Sequence, residues 1–436
     1  MGLFEKFSNK NQRLEDLKKG KIEKVPSYVM AIPKNDIVLD DLELMVDQIR
    51  KIEGLTIIGK RINNILTVVF KYKNLEYSVD IFVEDFQLPP LFRITHDFGD
   101  EEVEIMEGAV RGLLTRMTFS ENKMDSFHIQ IKLLYAMIPE LAGVVDFSAE
   151  KILSGKWVEL TAKSNVHPAP SYLYTIQAVT DKNEVWLHTH GMNRCGSIEL
   201  EVLKSDKINF NNHYEVLASF AERMITDNVT IDEGEALYIG TIGSNQDLVV
   251  TWIDFKRVIK KMKRSALGGT KDRIDGHNEN SGIIFVYPTE EDYNIKKMVH
   301  ISQFNSLLNQ NPVFMKTTEE TIRMQNLALE RIPFLHKLWK AIDEKQVLIK
   351  VGMKVNEEYN SSDNKEHIWF EVIDLGEKTF RGILLQEAYY ITNLRKGDEF
   401  EFPIEELTDW LAYTKIGTIK PDNVYRLLSI EAWCEI

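Results

Sequence analysis

The run of apolar and polar positions divides the chain into alternating sheet-like and helix-like stretches. VPSYVMAI (25–32) reads as a strand, and in DDLELMVDQIRKI (40–52) Leu42, Leu44, Met45, Ile49 and Ile52 recur near helical spacing behind an aspartate cap. LTIIGKRINNILTVVFKYKNLEYSVDIFVEDF (55–86) is rich in β-branched and aromatic residues, with Asn63-Asn64 and Lys73-Asn74 as turn signals; it predicts a meander of three strands. Helical periodicity returns over 101–119 and around 126–140, and such helices would cover one face of the meander.

From Val144 a short apolar strand runs into Ser148, the expected cap of a helix through Ile152. SYLYTIQAVT, NEVWLHTHG and SIELEVL predict three further strands, 211–227 a helix, 235–242 a strand and 247–253 a strand or the start of a helix. In 255–269 the residues Phe255, Val258, Ile259 and Met262 form one apolar stripe, which predicts a helix stopped by Gly268-Gly269. A polar loop over 268–282 precedes a strand at 283–287 and a helical region over 313–344. Beyond Gln346 come short strands in VLIKVGMKV, HIWFEVIDL, KTFRGILLQ and DEFEFPI, then EELTDWLAY, read as a helical turn. The expected fold is α+β and multidomain, since 436 residues exceed what one core serves. Its parts are a charged lead (1–20), two mixed sheet-and-helix domains (21–141 and 142–312), a helical connector (313–345) and a small β-rich C-terminal module (346–436).

The last part carries a resemblance. IWFEV (368–372), FRGILL (380–385), LRKGDEFEFP (394–403) and LTDW (407–410) resemble the bacterial module known as domain of unknown function 2314, over roughly 347–413. Members usually carry an Asn-acidic-Pro element after the third strand, where this chain has Gln386-Glu387-Ala388. Upstream, AGVVDFSAEKIL (142–153), HPAPSYLY (167–174) and VWLHTHGMNRCGSIELEVL (185–203) are similar to the amino-terminal region fused to this module in low-GC Gram-positive bacteria. The resemblance implies a cytoplasmic bacterial protein and brings no reaction with it.

Net charge is −14, which argues against nonspecific attraction to nucleic acid or an anionic membrane. Two cysteines, Cys195 and Cys434, imply no disulfide framework and suit a reducing cytoplasm. No window is long and apolar enough to span a bilayer.

The densest chemistry is VWLHTHGMNRCGSIELEVL. His188 and His190 point to one face of a strand, a spacing used by metal ligands, and His167, Cys195, Glu199, Glu201 and His213 are the candidates to complete a zinc or other divalent site. The alternative is a histidine bonded within its strand beside a turn at Gly191. A non-metal reading has His190, Arg194 and Glu199 lining a cleft for an anion or peptide. The loop KDRIDGHNENSG fails the EF-hand pattern, leaving Asp272, Arg273 and His277 as a candidate ligand-facing set. Lys256, Arg257, Lys260, Lys261, Lys263 and Arg264 put six cations in nine residues, either a nucleic-acid surface or the solvated face of a packed helix. No Walker, dinucleotide or nucleophile-elbow motif occurs. The leading expectation is a non-catalytic interaction protein that sequesters or neutralises a protein partner through its acidic surface. A metal-dependent hydrolase at the His-x-His strand and nucleic-acid binding through 256–264 are the alternatives.

Overall fold

In the computed structural model, which describes residues 25–62, 65–90, 92, 97–227, 231–243, 246–262, 266–269, 281–310, 312–342, 346–357, 365–428 and 433, three open sheets are backed by helices. The architecture is α+β. Residues 1–153 and 170–315 form one unit and 154–169 with 316–436 a second.

The first sheet contains β1 (Ser27–Pro33), β2 (Thr56–Ile62), β3 (Leu66–Tyr72), β4 (Leu75–Asp85), β5 (Arg111–Met117), β6 (Leu141–Asp146) and β7 (Lys151–Ser154), in the order β2-β3-β4-β5-β1-β6-β7. The meander β2 to β4 is the expected one, and Lys73 and Asn74 take the left-handed conformation that a tight hairpin turn requires. Helix Leu42–Ile49 is capped by Asp41, which accepts from the Leu44 amide. Helix Lys123–Met137 is buried on almost every side, from Met124 through Leu134.

In this first sheet two elements differ from the sequence reading. The helix expected over 101–119 ends at Gly108, and Arg111–Met117 is strand β5, inserted between β4 and β1. Leu113, Leu114 and Met117 satisfy a helical spacing, Leu113, Thr115 and Met117 an alternating one, and the open ladders of β1 and β4 decide for the strand. Ser148 caps no helix. Its hydroxyl accepts from the Tyr28 amide, the chain turns back as β7, and the cap is Ser154, which accepts from Trp157 and starts helix Gly155–Lys163. Strands β6 and β7, placed by sequence at the head of the second domain, are hydrogen-bonded into the first sheet.

The second sheet has the order β14-β11-β12-β13-β10-β9-β8, built from β8 (Thr175–Asp181), β9 (Glu184–His190), β10 (Glu199–Asp206), β11 (Leu237–Ile242), β12 (Gln246–Asp254), β13 (Ser281–Tyr287) and β14 (Val313–Phe314). Only β10 and β13 run parallel, because helix Phe210–Thr226 and the β11–β12 hairpin separate them in sequence. Of the helix stretch expected over 255–269, Phe255–Ile259 is helical and the other described residues, 260–262 and 266–269, are not. Its apolar stripe still packs: Val258, Ile259 and Met262 lie on a cluster of Trp186, Leu203, Phe255 and Ile283.

In the second unit, β15 (Val347–Lys354), β16 (Lys365–Leu375), β17 (Thr379–Leu384), β18 (Glu399–Pro403), β19 (Leu407–Thr414) and β20 (Gly417–Ile419) form an antiparallel sheet ordered β18-β17-β16-β15-β19-β20. EELTDWLAY contributes one short turn, Ile404–Glu406, and then strand β19, not a helix. Trp410 alternates inward there and donates its indole N–H to the Ala328 carbonyl of helix Thr318–Glu330. That helix and Ile332–Ala341 back the sheet, and the buried Arg323 bonds both Glu320 and Asp422.

Candidate functional site

His190, Arg194 and Glu199 are brought together, but inside the first unit and not around an open cleft. Gly191, at φ +109, ends β9, and a Cβ there would stand 2.5 Å from the Leu173 carbonyl oxygen. The turn that follows, Met192–Cys195, drives Arg194 into the interior, where it is 1% exposed. Its guanidinium makes a fork-to-fork pair with Asp146 of β6 at 2.9 and 2.8 Å. Further bonds go to Ser27 Oγ and the Leu173 carbonyl, and the Phe127 ring lies 4.8 Å beneath. Asp146 also accepts the amides of Ser148 and Ala149. The five N–H donors of Arg194 are thereby engaged, and the pair ties the second sheet to β1 and β6 of the first.

The neighbours complete this junction. Glu199 accepts from Thr189 Oγ1 and from the amides of Gly191 and Asn193, so its carboxylate holds the turn. Burial pushes its pKa up to about 7, against the pull of those hydrogen bonds. Lys151 donates to the carbonyls of Ser171 and Tyr174 and is lowered to about 7 by burial. His190 Nδ1 lies 3.1 Å from Glu150, a residue held at φ +51 and also bonded by Gln177. Asp146, Glu150 and Lys151 are partners that sequence reading did not single out. The only signal is an aspartate and a lysine flanking a turn after an apolar strand.

The metal candidates are not gathered. His188 and His190 do share a face, with ring centroids 4.9 Å apart, but His188 is buried and stacked on Trp186 at 4.1 Å. Glu201 accepts the Trp186 indole N–H, His213 bonds Ser205 and Asn305, and His167 Nδ1 lies 3.1 Å from the Pro168 carbonyl. Among the described residues no group of three or more His, Cys, Asp and Glu side chains is placed to hold a metal ion. Asp272, Arg273, His277, Lys263, Arg264 and Cys434 lie outside the described residues.

An open cavity of about 790 Å³, of ligand-like dimensions, lies on the second sheet. Register puts Ile253 and Ile283 on one face of β12 and β13, and that face is the floor, together with Phe285, Val258, Met262 and Met298. Six cations stand at its rim: Lys204, Arg257, Lys260, Lys261, Lys296 and Lys297. No carboxylate is among the described lining residues. Glu233 pairs with Arg257 at 2.8 Å and Asp292 with Lys297 at 3.3 Å, while Lys204, Lys260 and Lys261 make no ion pair among the described residues. Lys204 and Lys296 both sit in the left-handed region, φ +57 and +56, Lys204 at a bulge in β10 and Lys296 just after the short helix Glu290–Asn294. A lysine at such a backbone position costs roughly 1–2 kcal/mol that glycine would not. Arg257, Lys260 and Lys261 of this cation set were visible as part of a cluster in sequence, whereas Lys204, Lys296 and Lys297 reach the rim from elements far away along the chain.

The fold is thus that of a multidomain α+β protein in which a two-sheet unit carries the cavity and a helix-backed sheet follows. Family models place it further. Residues 27–168 match the N-terminal and 176–285 the C-terminal model of "Protein of unknown function (DUF4026)", and 334–420 match "Uncharacterized protein conserved in bacteria (DUF2314)". The chain is a fusion of a DUF4026 region, whose two parts contain the first sheet and most of the second, with a DUF2314 module. The module begins earlier than the strands suggest, within helix Ile332–Ala341. No curated protein and no solved structure matches the chain. Among the described residues no helix is long and apolar enough to cross a membrane.

Proposed function

We propose that this is a non-catalytic cytoplasmic binding protein whose binding place is the cavity of the second sheet, and that what it binds is an anion. The observation that carries this reading is the rim: six cations and no described carboxylate around an apolar floor, in a chain whose net charge is −14. In a randomly charged acidic surface such a set would be neutralised by neighbours. Here Glu233 and Asp292, neither of them a lining residue, pair with two of the cations, and Lys204, Lys260 and Lys261 make no ion pair among the described residues. The acidity of the remaining surface favours a second reading, a basic protein partner held elsewhere on the chain, as the composition suggests.

The test is titration of the full chain with anilinonaphthalene sulfonate, a fluorescent anion, at low ionic strength, for wild type and K260E/K261E. A charge about 4 Å from an anion is worth about 1 kcal/mol even in bulk water, so inverting two should weaken binding tenfold or more. Salt should weaken the wild type in the same direction. Equal affinity in the two proteins would remove the cavity as the binding place.

A further inference from the structure

We infer that the occupant of the cavity is a free single-chain amphiphile, an aliphatic chain ending in an acidic group; this rests on the reading of the cavity as an anion site. Apart from the cations, the only polar side chain among the cavity's described lining residues is His300, and both ring nitrogens are engaged, Nδ1 with Ser302 Oγ at 2.8 Å and Nε2 with the Leu203 carbonyl at 2.7 Å. A nucleobase, a sugar or a peptide backbone would bring donors and acceptors into this floor and leave them unpaired, which opposes binding. A hydrocarbon chain brings none.

The floor also has the adaptability that a chain requires. Met262 and Met298 are half-buried there beside Val258 and Phe285, and thioether side chains fit themselves to irregular apolar shapes. The volume of about 790 Å³ lies within the range of small-molecule pockets, roughly 300–1,000 Å³. Lys204, Lys260 and Lys261 then hold the acidic end at the opening, where it keeps part of its hydration. Lys296 is less free to do so: its Nζ sits 3.8 Å over the Tyr293 ring and donates to the Gly234 carbonyl.

The experiment is displacement of dansylaminoundecanoic acid from the full chain by hexanoate, octanoate, decanoate and dodecanoate, with acetate, inorganic phosphate and an acidic peptide as non-amphiphilic anions. Each added methylene should tighten displacement about threefold to fourfold until the cavity is full, and K260E/K261E should weaken the whole series. Lys204→Gly is the second variant: the backbone at φ +57 favours glycine, so the fold is retained while one rim cation is lost, and affinity should fall severalfold. Displacement independent of chain length, with acetate and phosphate as effective as dodecanoate, would overturn the amphiphile and leave the anion site standing. Displacement by the acidic peptide alone would do the same. Binding to phosphatidylglycerol vesicles without any response to monomeric dodecanoate would replace the free amphiphile by a membrane lipid. No binding of any anion would remove both readings.

Discussion

The junction around Arg194 and the cavity around Lys260 are both rich in charge, and they have opposite physics. At the junction each charged group meets a fixed partner: Arg194 with Asp146, Glu199 with three donors, Lys151 with two carbonyls. These side chains are buried, and the polar bonds specify how two sheets meet. At the cavity the cations are exposed, three have no ion pair among the described residues, and the buried material beneath them is apolar. Charge that is satisfied internally serves architecture; charge held unsatisfied beside an apolar floor is available to a ligand.

Breaking the junction should have the largest effect. Arg194→Leu leaves Asp146 buried without its partner, and the loss should be about 3–5 kcal/mol of stability, read from urea unfolding. A loss under about 1 kcal/mol would mean that the two sheets are held by other contacts. Next comes K260E/K261E, which should leave the unfolding midpoint nearly unchanged while weakening the anionic probe tenfold or more.

The pH dependence of stability sharpens the contrast. Glu199 is raised from 4.5 to about 7, so the folded state keeps a proton that the unfolded chain releases, and stability is present below about pH 4.5 and lost as pH rises through 7. Lys151 is lowered from 10.5 to about 7, so its contribution is present above pH 10.5 and lost as pH falls through 7. Together the two junction groups should place a shallow minimum of stability near neutrality. Glu199→Gln should flatten its acid side, at a cost of about 1 kcal/mol for the carboxylate bond that the amide cannot replace. A wild-type curve with no slope between pH 5 and 7 would contradict the burial of Glu199. The smallest effect is expected for Lys204→Gly, a gain of up to about 1 kcal/mol from relief of the left-handed backbone.

Much of the fold was legible from periodicity. The strand at β1, the β2–β4 meander, the helices at 42–49, 123–137 and 210–226, and four C-terminal strands stand where apolar spacing puts them. Two of the failures share one cause. Arg111–Met117 and Leu407–Thr414 carry spacings that fit either helix or strand, and the decision comes from neighbours far away in sequence, β1 and β4 for one and β15 for the other. The run His188 to Glu199 reads as chemistry because polar residues crowd a short segment, yet their partners, Asp146 and Glu150, lie in β6 and the turn after it. The cavity was half legible: the cluster at 256–264 was visible, but nothing local links it to Lys204, Lys296 or the floor of β13.

Hydrogen–deuterium exchange with and without bound anilinonaphthalene sulfonate tests the contrast between the two regions most directly. The account predicts added protection at 203–204, 253–262 and 283–300, with 146–151 and 188–199 unchanged because they are already closed. Protection concentrated at 146–151 and 188–199, with none around Lys260, would show that the polar motif is the binding place and the cavity is not.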